Sequence, residues 1–280
     1  MAASPSAPGL AMLNGYIDGI GVLGPGIKSW QDAERMLTGD VAYAAARTVL
    51  SPSALLPPPE RRRAGRGVMA ALQVGHAACV MADVPPSEPA SVFASSGGDG
   101  DICHAICSAM AAGDHLISPT QFHNSVHNAI SGYWGIATGA MTPSSVVSAY
   151  DGSFAAGLLE ALTLLAAACT PVLLVASDTD YPPPLYRARP VPDIFAVALL
   201  LTATPHPTKS VARIRVADAA PFAETPSQPM GDTALESLRT SIPAARCLPL
   251  LHSIARRDTG NVILDYLDSQ GLVIEMVPCA

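Results

Sequence analysis

One stretch limits the fold more than any other. Ser145 to Tyr150 (SVVSAY) leads through Asp151-Gly152-Ser153 into Phe154 to Ala168, FAAGLLEALTLLAAA. The first segment predicts a buried strand, the middle a sharp turn, and the last a helix that is apolar nearly all round. A helix with one apolar stripe needs one neighbour, whereas a helix apolar on every side needs covering on every side. The expectation is therefore a layered α/β fold with this helix in its core.

The other segments supply the layers. Gly15 to Val22 (GYIDGIGV) predicts a first strand, and Ser29 is placed to cap a helix running to about Leu37. Gly19, Gly21 and Gly24 satisfy the dinucleotide pattern GxGxxG, but Pro25 and Gly26 break the helix that should receive the pyrophosphate, so a tight strand-exit turn is expected instead. Val68 to Ala82 predicts a helix buried on most of its surface, Ser91 to Ser95 a short strand, Ile102 to Ala112 a helix, and a further helix falls within Asn124 to Thr138. Val172 to Ala176, Phe195 to Thr202 and Ser210 to Val216 read as strands, and 217–232 as loop. Leu235 to Ala255 reads as helical with a break at Pro243, and two short strands close the chain.

Composition excludes several classes. With 280 residues, 49% of them hydrophobic and 14% charged, the chain can bury a large core, and disorder is excluded. Its mean hydropathy is +0.31, yet no apolar run reaches the roughly 18 to 20 uninterrupted residues of a bilayer span. A net charge of -7 argues against nucleic acid as a partner. The N-terminal residues lack the basic and apolar regions of a secretory signal, so 1–14 is expected to be a disordered leader and the compartment the cytoplasm. Cys79, Cys103, Cys107, Cys169, Cys247 and Cys279 form no CxxC pair and read as reduced, mostly buried thiols; for Cys103 and Cys107, spaced i, i+4, core or interface packing is expected.

Four clusters of polar residues are weighed for chemistry. His123 and His127 would share a face if helical, but no Glu between them and no evident third ligand makes a zinc site, and local hydrogen bonding is expected. Asp99 and Asp101 spoil the glycine turn Gly97-Gly98-Gly100 as a phosphate cradle. Asp178 and Asp180 read as a surface turn, with a metal site as the alternative. Arg61, Arg62, Arg63 and Arg66 oppose the dipole of the helix they open, which leaves either an acidic partner or a solvated edge.

The segment ISPTQFHNSVHNAISGYWGIATGAMTPSSVVSAYDGSFAAG, from Ile117 to Gly157, resembles the middle of the N-terminal half of β-ketoacyl synthases. The likeness extends from Gly15 to about Val216 through the GIGV turn, the LPPPERRR helix entry and the FAVALLLT strand. It implies an α/β, thiolase-like fold: a ketosynthase N-terminal half with a much shortened C-terminal half, in one domain over 15–280, with 217–280 the reduced part. Where the family carries its nucleophilic cysteine, this sequence has Asp151, and neither an HGTGT-like nor an NSFGFGG-like stretch appears.

Those departures bear on the chemistry. Condensation needs a thiolate at a helix N-terminus and imidazoles to bind the thioester oxygen. Asp151 cannot form the acyl thioester. It is expected to cap the following helix by accepting N–H bonds from Ser153 or Phe154, with catalysis by Asp151 as the alternative.

Cysteine-less, shortened relatives of this family are chain-length factors. The wording SPTQFHNSVHNAISGYWGIA and SFAAGLLEAL is most similar to the short ketosynthase-like subunits of aryl-polyene pigment biosynthesis. The resemblance implies a non-catalytic subunit forming a heterodimer with an active β-ketoacyl synthase and bounding the tunnel for a chain carried on acyl carrier protein. It implies no cofactor and no metal. Candidate tunnel or interface residues are Ser96, Ile102, Cys103, Ile106, Met110 and Tyr133. Two rivals stay open: a free-standing hydrolase or decarboxylase using Asp151 with His123 or His127, and a homodimeric module that holds acyl chains.

Overall fold

The structure, a computed structural model, describes residues 13–52, 54–113, 116–217, 222–223, 227–267 and 270–280. Of the expected leader, residues 1–12 lie outside the described residues, and Asn14 already belongs to the first strand. The order begins with β1 (Asn14–Leu23), α1 (Trp30–Thr38), α2 (Pro58–Arg63), α3 (Arg66–Ala82) and β2 (Ala90–Ala94). Helices α4 (Gly100–Ala111), α5 (Pro119–Asn124) and α6 (Ala129–Thr138) precede β3 (Ser144–Val147). A 3-10 turn at Tyr150–Gly152 then opens α7 (Ser153–Ala168), followed by β4 (Val172–Asp178), α8 (Pro183–Ala188), β5 (Phe195–Thr202), β6 (Ala212–Val216) and β7 (Phe222–Ala223). The chain ends with α9 (Thr233–Ser241), a 3-10 turn at Pro243–Cys247, α10 (Leu248–Arg256), β8 (Gly260–Asp265) and β9 (Gly271–Pro278). The loop expected over 217–232 is broken by β7, and 218–221 and 224–226 lie outside the described residues.

One sheet joins all of these strands in the order β3-β2-β4-β5-β1-β6-β9-β7, with β8 also on β9. Strand β2 pairs in parallel with β3 and β4, while β4 to β5 and β5 to β1 are antiparallel. The parallel pairs require crossovers, which α4 to α6 and α7 provide. Alternation along β4 separates two cores. Val172, Leu174 and Ala176 pack with α7 and α10, whereas Leu173 and Val175 pack with α3 and α6. The chain is thus a three-layer α/β/α sandwich, and β3 is its open edge.

Glycines set how close the layers come. A Cβ on Gly19 or Gly21 would stand 2.0 Å from the backbone oxygen of Ala78 or Val74, so α3 lies directly on β1 because these residues have no side chain. Gly24 then bridges to Ile27, and Gly26 takes φ 74°. The apparent GxGxxG is therefore a packing and turn device, as expected.

Several expectations are corrected. Strand β3 ends at Val147 rather than Tyr150, because Ser153 Oγ accepts from the Ala149 N–H (3.0 Å) and donates to the Tyr150 carbonyl (2.7 Å), folding 149–153 into a turn. Helix α7 is buried along Phe154, Leu158, Leu162 and Leu165, but Thr163 and Ala166 to Ala168 are exposed, so it is not covered on every side. From Tyr150 to Ala168 the chain is long and apolar enough by length and composition to cross a membrane, which the count of uninterrupted apolar residues missed. Half of that span is buried, as in a core helix. Only Cys79 and Cys247 of the cysteines are fully buried, and burial pushes the Cys79 thiol up to about 12. Cys103 and Cys107 are exposed because α4 buries only Gly100, so they are not core residues.

Candidate functional site

Asp151 does not cap α7. Gly152 holds that position and makes no side-chain bond. A Cβ on Gly152 would lie 1.8 Å from the Tyr266 carbonyl oxygen, so the turn sits directly on the end of the β8–β9 hairpin. This placement sets the Asp151 carboxylate between two guanidiniums, with Arg189 at 2.5 Å on one oxygen and Arg246 at 3.0 Å on the other. Arg246 also bonds Asp265 (2.8 Å), Asp265 takes Arg239 (2.6 Å), and Arg239 bonds Glu236 (2.7 Å). Ser227 Oγ donates to the other Asp265 oxygen at 2.8 Å. Alternating charges thus run from the α8–β5 loop through Asp151 to α9 and β8. Burial alone would raise Asp265. Hydrogen bonds from Arg246 and Ser227, with the fields of Arg246 and Arg239, outweigh it and hold the carboxyl below its usual range.

A carboxylate gripped from both sides is a poor nucleophile, since any bond it forms must displace an ion pair. Asp151 lies in a groove of about 770 Å³ with Tyr150, Tyr186, Arg189 and Thr240. His127 lines a different cleft that shares no residue with this groove. Helix α5 ends at Asn124, so His123 is helical and His127 is not, and their expected common face does not form. Among the described residues, no group of three or more His, Cys, Asp or Glu side chains is placed to hold a metal.

The second feature lies at the carboxyl ends of β2 and β4. Asp178 is fully buried, not part of a surface turn: its Oδ1 accepts from the Ser96 N–H (2.8 Å), Ser96 Oγ (2.6 Å) and Ser95 Oγ (3.3 Å). Its Oδ2 has no partner among the described residues, and burial pushes the carboxyl up more than Ser96, Arg189 and Ser95 pull it down. Asp178 thereby pins the glycine turn that starts α4, where Asp99 caps by accepting from the Ile102 N–H. On the opposite face of the sheet, a cleft of about 500 Å³ is lined by Gly67, Ser95, Gly97, Val126, Ile130 and Thr179 among others.

The expected tunnel or interface residues are dispersed. Ser96 is held by Asp178, and Tyr133 is buried below the cleft, donating to Asn124 Oδ1 at 3.1 Å. Ile102, Cys103, Ile106 and Met110 lie on α4, whose apolar sequence is left largely at the surface. Phe122 (64% exposed) and Met141 (95%) extend the same exposed apolar character toward β3. The arginine cluster is partly engaged within the chain: Arg66 pairs with Asp180 (2.7 Å), Arg63 with Glu60 (3.2 Å), and Arg61 donates to the Leu56 carbonyl. Asp180 also takes Arg47 at 2.6 Å, so it is an ion-pair hub.

A profile for the family described as beta-ketoacyl synthase, N-terminal domain, matches residues 29–250 of the 280. The chain belongs to that family. As expected for a ketosynthase relative, its fold is found in solved ketosynthase structures. A chain of the complex of the ketosynthase ApeO with its chain length factor ApeC from Xenorhabdus doucetiae is 24% identical. It has a TM-score of 0.68, and the match covers 94% of this chain and 99% of that one. The ishigamide ketosynthase/chain length factor matches at 13% identity and a TM-score of 0.69, over 95% of this chain and 100% of the other. A β-ketoacyl synthase from Burkholderia phymatum STM815 is 16% identical with a TM-score of 0.54, and the match covers 83% of this chain but 70% of that one. No curated protein sequence matches. Asp151 lies in the turn that opens α7. Arg189 and Arg246, which neutralise it, and Asp265, which shares Arg246, were not anticipated; lone arginines in the apolar stretch IPAARCLPL and beside Pro190 were the available signal.

Proposed function

We propose that this chain is a non-catalytic chain-length factor. It forms a heterodimer with an active β-ketoacyl synthase through the β3 edge and the apolar α4 face. There it bounds the tunnel for an acyl or polyene chain delivered on acyl carrier protein, in the cytoplasm. The carrying observation is the Asp151 carboxylate, bound by Arg189 and Arg246 where the family needs a free thiolate. The exposed apolar side chains around an unpaired edge strand give the surface such a partner would cover. Support also comes from the likeness in fold to chains of ketosynthase/chain length factor complexes, matched over nearly their whole length. On this reading 15–280 acts as one unit, with 217–280 supplying Arg246, which together with Arg189 closes the old nucleophile position.

Co-expression of the tagged chain with full-length ketosynthases of the same genome tests it. A stoichiometric complex that makes product, with neither subunit active alone, is the expected outcome. A stable, monodisperse monomer that processes acyl thioesters unaided would overturn the proposal.

A further inference from the structure

Tyr150 differs from the other large apolar side chains left at the surface. Its backbone takes φ 51°, a conformation that a bulky residue keeps only when its surroundings hold it there. Those surroundings are built. Ser153 Oγ donates to the Tyr150 carbonyl at 2.7 Å, and the Arg189 guanidinium lies over the ring, 3.8 Å from its centroid. Asp151 pins that guanidinium at 2.5 Å, and Gly152 seats the turn against Tyr266. Yet Tyr150, which all these contacts position, is 63% exposed. Met141 precedes β3 and Tyr150 follows it, so both ends of the open edge carry a large exposed apolar side chain.

We infer that Tyr150, backed by Arg189, is the anchor side chain of the subunit interface, seated in an apolar pocket of the ketosynthase partner beside the β3 edge. The inference rests on the partner reading given above. A rigid tyrosine loses little side-chain freedom on docking, because the ring is already immobilised by its own chain. Arg189 occupies one ring face, leaving the other face, the ring edge and the phenolic hydroxyl for the partner. The complementary site is therefore an apolar slot with a hydrogen-bond acceptor at its end. Tyrosine and arginine are the residue types that carry most binding energy at protein interfaces.

The test uses the co-expressed, purified complex, with its dissociation constant read by native mass spectrometry over a dilution series. Tyr150→Gly removes the ring while easing the backbone, since glycine enters this region freely. It is expected to weaken the complex at least about 30-fold. Tyr150→Asn, also at ease in this region, repeats the measurement if glycine loosens the turn. Tyr150→Phe keeps the ring and is expected to stay within about tenfold of wild type, the loss reporting the hydroxyl alone. Folded Gly and Asn variants that bind as tightly as wild type would overturn the anchor while leaving the partner reading intact. A wild-type chain that forms no complex would overturn both.

Discussion

At the scale of single residues, two aspartates face opposite electrostatic situations. The side chains of Arg189 and Arg246 are 19% and 18% exposed; Arg189 relies on Asp151 for neutralisation, and Arg246 shares Asp151 with Asp265. Asp151→Ala should lower stability by roughly 2 kcal/mol, read as a shift in the denaturant midpoint. Product formation per assembled complex should not change, and a large loss of turnover in intact complex would show that Asp151 has chemistry of its own. For Asp178, burial raises the folded-state pKa, so folding favours the protonated carboxyl. Its contribution is fully present below the unfolded value of about 3.9 and is lost as pH rises through the folded value. Asp178→Asn should therefore flatten the fall in stability above pH ~4, and unchanged denaturation profiles across that range would contradict the assignment. The place of Asp151 in the turn between strand and apolar helix was legible from the sequence alone. Its ion-pair partners were not legible, because Arg189 and Arg246 lie far along the chain and only tertiary folding brings them to Asp151.

At the scale of elements, the charge network holds the C-terminal segment to the N-terminus of α7. Because hydrogen bonds and guanidiniums hold Asp265 below the usual carboxylate range, its contribution is present above about pH 4 and is lost as acid titrates it. Asp265→Asn should make the stability profile flatter on the acid side and lower near neutrality; equal profiles from pH 2 to 7 would remove the network as a tie. Helix α4 raises a different matter. Its Ile102, Ile106 and Met110 are expected from the resemblance at a tunnel or interface, and apolar periodicity alone reports that a face is covered without saying by which chain. With Met110 55% exposed, Met110→Trp is expected to shorten the products of the complex without blocking assembly. Product lengths measured by mass spectrometry decide this, and an unchanged distribution would exclude α4 from the tunnel wall. Strand and helix positions were mostly anticipated because local patterning governs them. The end of β3 was not, because the Ser153 hydroxyl and the left-handed Tyr150 override the strand preference of SVVSAY.

At the scale of the molecule, layer spacing and the open edge matter most. Gly21→Ala would place a methyl group 2.0 Å from the Val74 carbonyl oxygen, forcing α3 off β1. A loss of about 1–3 kcal/mol or more is expected in thermal or denaturant unfolding, whereas an unaffected protein would mean the two layers have slack. A layered α/β architecture was legible from the apolar strands and the all-apolar helix; the number of layers and the exposed outer stripe of α7 were not, since composition cannot say how many layers follow. The edge strand β3 also bears on how much of the protein a cell can make. On the proposed pairing with a ketosynthase, each copy made beyond the partner's number would display backbone donors and acceptors flanked by Met141, Tyr150 and α4, a template for self-association. Dosage is thus constrained by geometry: surplus subunit should precipitate or be degraded rather than accumulate, and matched synthesis of the two chains becomes a condition of solubility.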